Sequence, residues 1–172
     1  MADWEGTCLQ NSKKSGFDSH PSVQNMNKII DHGYIRVPRG IVESADTVKF
    51  ENYKTNTPAQ FQIRRMDEAD MALMFNLSRM VGVPWNRLDF VYFSVCKGAE
   101  PHTDLLDPEK FEPRTFVIPV ILPGGQSVIT AEEQMKQVEL NHVYEFNHEK
   151  LHSMLLEDTD SGCVVIMVAV KK

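Results

Sequence analysis

Cysteine is scarce in this chain, with three thiols (Cys8, Cys96 and Cys163) among 172 residues. They are too few and too widely spaced for a disulfide framework or a CxxC zinc knuckle, so free thiols in a reducing compartment are expected. Long apolar runs are missing too. The longest, Phe116–Leu122 and Cys163–Val170, fall far short of the ~20 residues that a membrane-crossing helix needs. Met1–Lys14 is polar and has no apolar stretch of the kind a secretory leader carries. These absences predict a cytoplasmic protein with no membrane partner. Positive charge is in deficit, since 18 Lys and Arg face 24 Asp and Glu and leave a net charge of −6. A nucleic-acid binder needs a basic surface to displace counterions from phosphates, so no nucleic-acid partner is expected. No internal repeat, coiled coil or low-complexity tract is visible.

Hydrophobic residues make up 42% of the chain, enough for one domain to bury a core. Residues 1–22 show little periodicity and read as a loose arm, which Trp4 and Phe17 could pin to the body. Residues 23–172 read as one domain. Short strands are expected at Tyr34–Val37 and Thr47–Phe50, with Pro38-Arg39-Gly40 as the turn between them, and at Gln60–Arg65. The spacing of Leu73, Met74, Leu77, Met80 and Val81 predicts a helix over Asp67–Val81, with acidic residues in its first turn and Gly82 and Pro84 at its end. After it the chain is strand-rich, at Leu88–Cys96, Arg114–Leu122, Ser127–Ala131, Gln137–Leu140, His142–Phe146, His152–Leu156 and Cys163–Val170. Turns are expected at Pro123-Gly124-Gly125, Asn141 and Asp158–Gly162. Many short strands at close spacing predict a mainly β fold, a sandwich or barrel of antiparallel strands with one supporting helix.

Six histidines are present. His102-Thr103-Asp104 is the notable pair, because residues i and i+2 of a strand point to one face. An imidazole and a carboxylate can then aim at one point, and a second histidine on a neighbouring strand would complete three ligands on one side of a metal. Two His and one carboxylate leave the opposite side open, the arrangement of non-haem Fe(II) oxygenases. His152 is the favoured third ligand. Its rivals are His148, expected in a solvent-exposed turn, and His142, expected to point outward. His20 and His32 read as surface residues. Arg64-Arg65 is a small basic pair that could meet an anionic partner. The loop Asp104–Glu112 reads as solvated, though it borders the presumed site and could act as a lid.

The order around these residues is more specific than the pair alone. An apolar strand leads through Gly98 into Glu100-Pro101-His102-Thr103-Asp104. The Arg114–Leu122 strand, a Gly-Gly turn, and Tyr144-Glu145-Phe146 leading to His152 follow. Over about residues 87–172 the chain resembles the Fe(II)- and 2-oxoglutarate-dependent dioxygenases, including their prolyl- and aspartyl-hydroxylase-like branches. The resemblance implies a double-stranded β-helix (jelly-roll, cupin-like). It implies Fe(II) on His102, Asp104 and His152, with 2-oxoglutarate as co-substrate and dioxygen as oxidant. The reaction would be hydroxylation of a peptide side chain or small molecule. Where that family carries a cation on the final strand, this chain reads Ser161-Gly162-Cys163-Val164-Val165. Arg114 is then the cation expected to bind 2-oxoglutarate, with an ion pair to Glu100, Glu109 or Glu112 as the alternative. The family's co-substrate tyrosine position holds Phe93, and Tyr92 beside it is expected to bind the co-substrate in its place. Two other functions stay open: a binding or structural protein of this fold without catalysis, and a metal enzyme of this fold that does not use 2-oxoglutarate.

Overall fold

The longest apolar runs of the sequence become the strands with two buried faces. The computed structural model describes residues 28–57, 60–63 and 68–172. The expected arm over residues 1–22, with Trp4, Phe17 and His20, lies outside them, as do Arg64 and Arg65.

In chain order the elements begin with β1 (Ile30–Tyr34), α1 (Arg39–Ala45), β2 (Gln60–Ile63) and α2 (Glu68–Val81). Then come β3 (Leu88–Cys96), β4 (Ala99–His102), β5 (Phe111–Ile121) and β6 (Ser127–Ala131). The last four are β7 (Gln134–Gln137), β8 (His142–Phe146), β9 (His152–Leu156) and β10 (Cys163–Lys171). They form a six-stranded sheet in the order β1-β8-β5-β10-β3-β2 and a four-stranded sheet in the order β4-β9-β6-β7. Every pairing between named strands is antiparallel. The fold is a double-stranded β-helix.

Two apolar layers lie on the two faces of the larger sheet. On the outer face, Phe116, Ile118 and Val120 of β5 and Val164, Ile166 and Val168 of β10 pack with Ile41 of α1 and Leu73, Met74 and Leu77 of α2. On the inner face, Val117, Tyr144, Phe146, Val165 and Met167 pack with Ile129 of β6 and Met154 of β9. β5 and β10 are therefore covered on both sides, which is why they read as nearly continuous apolar runs. Leu73 and Leu77 are fully buried, as the periodicity of α2 requires.

Three local expectations are corrected. Pro38-Arg39-Gly40 is not a turn between strands. Pro38, at φ −59°, stands immediately before α1, where its fixed ring torsion suits a helix start. The spacing of Ile41 and Ala45, both buried, gives this short helix one face to lay on the sheet. Thr47–Phe50 is not a strand, and Phe50 opens a 3₁₀ turn over Phe50–Asn52. The preceding strand is Ile30–Tyr34, earlier than expected, because it is set by pairing with β8. The final hairpin does turn where the sequence places it. Gly162 has φ +66°, and a Cβ there would sit 2.6 Å from Phe50 Cδ1 and 3.0 Å from the Cys96 carbonyl oxygen.

Gly162→Ala should therefore lower stability by about 1–3 kcal/mol, from combined backbone strain and steric conflict at the β3–β10 seam. Urea-unfolding midpoints check this, and an unchanged midpoint would contradict it.

Candidate metal centre

β4 and β9 pair so that His102 and His152 are direct cross-strand partners. Their ring centroids lie 4.5 Å apart. Asp104 follows β4, and its backbone N–H donates to the His148 carbonyl oxygen at 3.0 Å. That bond ties the Asp104 segment to the turn between β8 and β9. His102 Nε2 lies 3.8 Å from Asp104 Oδ1, and His152 Nε2 lies 3.6 Å from Asp104 Oδ2. One ligand atom from each of the three residues falls within 4.8 Å of the others.

Proton placement makes this arrangement informative. His102 Nδ1 is 2.7 Å from the Glu100 carbonyl oxygen, and His152 Nδ1 is 2.9 Å from the Lys150 carbonyl oxygen. A carbonyl can only accept, so both Nδ1 atoms carry a proton, and Nε2 is the atom of each ring left to meet a metal. The Asp104 carboxyl completes a set of three acceptors turned toward one point. Its Oδ2 is buried without a hydrogen-bond partner. Acceptors gathered in this way repel unless a cation lies between them. Donors bound ~2.1 Å from a shared metal stand roughly 3–4 Å apart, and both imidazole–carboxylate spacings fall in that range. The donor set of two imidazoles and one carboxylate suits a divalent transition metal and leaves one side open.

The open side faces a cavity of about 430 Å³, counting its mouth. Val117, Ile129, Phe146, Met154, Val165 and Met167 form most of its wall, with Ser94 and Ser153 as hydroxyl-bearing members. Phe146 packs on the His152 ring at a centroid distance of 4.8 Å.

Arg114 is not among the described residues lining this cavity. It lies on the outer face of β5 beside Phe116, its guanidinium 5.5 Å from that ring. Its Nε donates to Glu145 Oε1 at 2.7 Å, and Glu112 Oε2 lies 3.9 Å from Nη1. Of the three expected acidic partners Glu112 is thus present at longer range, while Glu145 was not foreseen. Arg114, expected to bind 2-oxoglutarate, thus stands on the face of β5 opposite the inward-facing Thr115. Tyr92 pairs in register with Met167 of β10 and Ile63 of β2, and its side chain is outside the described set.

Two of the other histidines, His148 and His32, differ from expectation. His148 is not solvent-exposed but 2% exposed, and its Nδ1 is hydrogen-bonded to Thr115 Oγ1 at 3.0 Å. Burial lowers its pKa, so it is held neutral. Polar neighbours in its turn disguised it, and the one signal in the sequence was Thr115, a hydroxyl on an inward position of an apolar strand. His32 is half-buried, with Nε2 hydrogen-bonded to Glu145 Oε2 at 2.8 Å. His142 is half-buried beside Asp31 and Glu139.

No protein-family model matches the chain, and no curated protein matches it. Among solved structures it is similar to a Pseudomonas putida prolyl-4-hydroxylase, at 11% sequence identity and a TM-score of 0.52. The match covers 87% of this chain and 95% of that one. The likeness is one of fold. Among the described residues, no helix is long and apolar enough to cross a membrane.

Thr115→Val should leave the buried His148 nitrogen unpaired and lower stability by ~1–3 kcal/mol. Because His148 fixes Asp104, Mn(II) affinity should also fall roughly tenfold, measured by calorimetry. Glu145 offers a pH test. Burial would raise its carboxyl, but His32 and Arg114 together pull it below the usual glutamate value. The folded form thus titrates lower than the unfolded chain, whose value is ~4.3. The resulting stabilisation is complete above that pH and disappears as pH falls through the folded value. The gap between wild type and Glu145→Gln in urea midpoint should be constant from about pH 6 to 5 and shrink below about 4.

Proposed function

We propose that the chain is an Fe(II)-dependent dioxygenase that consumes a 2-oxo acid and hydroxylates a peptide side chain or small molecule. The observation that carries this reading is the convergence of ligand atoms from His102, His152 and Asp104 at the mouth of a cavity inside a double-stranded β-helix. These three residues would hold the metal. When bound, Fe(II) supplies the redox chemistry that couples dioxygen to the 2-oxo acid. In the overall balance, 2-oxo acid, O₂ and substrate C–H give a carboxylic acid one carbon shorter, CO₂ and substrate C–OH.

The chain's own part is positioning. The Glu100 and Lys150 carbonyls fix both imidazole planes, and the His148 carbonyl holds the Asp104 main chain. Phe146 packs on His152 and keeps water from that flank. Beside His152, a broader groove bordered by Pro101, Thr103, Glu132, Glu149 and Leu151 leaves room for the substrate. A second reading, a metal enzyme of this fold that does not use 2-oxoglutarate, is favoured by one observation, the engagement of Arg114 by Glu145.

Anaerobic titration should show one Fe(II) per chain. His102→Ala and Asp104→Ala should each weaken binding by more than about a hundredfold, since even residues that merely support a ligand can cost 10–100-fold. A visible charge-transfer band should appear when a 2-oxo acid is added, and exposure to oxygen should release CO₂. Full metal affinity retained in His102→Ala would remove the proposed site.

A further inference from the structure

The cavity beside the three acceptors has a charge pattern of its own. Its wall is mainly apolar, and among the described residues that line it there is no Lys or Arg. Val165 faces it from the final strand, opposite Ser94 of β3 in register. Ser94 Oγ is buried and without a hydrogen-bond partner. The Ser153 hydroxyl is already bonded to Thr130 Oγ1 at 2.6 Å. Arg114 is on the other face of its sheet, hydrogen-bonded to Glu145.

Charge counting narrows what can enter. A divalent metal on two neutral imidazoles and one carboxylate leaves one net positive charge. A chelating 2-oxo acid brings one carboxylate to the metal and cancels it. A second carboxylate at the far end of the molecule would add a charge against Val165, Met167 and Ile129, where, among the described residues, only hydroxyls could answer it. Burying an unpaired ion in an apolar wall is strongly unfavourable, whereas an uncharged chain gains by leaving water.

We propose that the co-substrate of this site is a monoanionic 2-oxo acid with an uncharged, apolar tail, and that 2-oxoglutarate is disfavoured. This rests on the metal-dependent reading above and sharpens it. Val165 and Met167 would set the preference by packing against the tail, and Ser94 would offer a free hydroxyl near it.

The test is direct binding to the Mn(II)-loaded protein, by calorimetry, of two probes matched in length. One is 2-oxo-5-methylhexanoate, in which an isopropyl end replaces the far carboxylate. The other is 2-oxoglutarate. The apolar-tailed acid should bind at least about tenfold more tightly, the scale on which a pocket discriminates by small groups. Val165→Arg, which places a cation on the cavity wall, should reverse the order. If that variant does not fold, the wild-type comparison decides alone. Equal or tighter binding of 2-oxoglutarate to the wild type would overturn the inference, and so would failure of both acids to bind the metal-loaded protein. Failure of Mn(II) itself to bind would instead overturn the metal-dependent reading and this inference with it.

Discussion

The pairing of His102 with His152 across β4 and β9 is the constraint on which the site depends. Strand side chains alternate, so a slip of one residue would turn either imidazole away from the other and bring a neighbour in its place. The register is held from the other side as well. β6 pairs with β9 over five consecutive positions, from Ser127 opposite Leu156 to Ala131 opposite His152. Thr130 and Ser153 add a hydroxyl–hydroxyl bond within that ladder. The smaller sheet therefore acts as a ruler for the site, and the larger sheet supplies the wall it faces.

β5 shows how one strand serves two purposes. Thr115 faces inward and holds His148, whose carbonyl secures Asp104. Arg114, one residue earlier, faces outward and joins Glu145 and His32 in a partly buried charged network beside Phe116. The outer network ties β1 and β8 to β5. It stabilises the edge of the sheet and leaves the cavity without that cation.

Much of this was legible in the sequence, for identifiable reasons. Strands covered on both faces announce themselves as apolar runs, and α2 announces itself by its Leu73–Leu77 spacing. His102, Asp104 and His152 could be selected because an i, i+2 pair and a strand-borne histidine obey simple geometry. Asn141 and Gly162 do adopt positive φ, as their places between strands suggested. What escaped was tertiary. The face of β5 that points inward depends on where the sheet closes, so Arg114 could be placed on a face with Phe116 but not on the correct side of the sheet. The burial of His148 depends on Thr115, 33 residues away. α1 was misread because its few helical positions look like alternation until the sheet beneath them is known.

The bonds from His102 and His152 to Glu100 and Lys150 each span two residues, and each accepts on a main-chain oxygen. Any amino acid at position 100 or 150 supplies that same oxygen. The aim of both rings is thus encoded in strand geometry and not in the identity of surrounding side chains. Residues around the pair are free to diverge in sequence and to reshape what the cavity admits, while the imidazole lone pairs keep their direction.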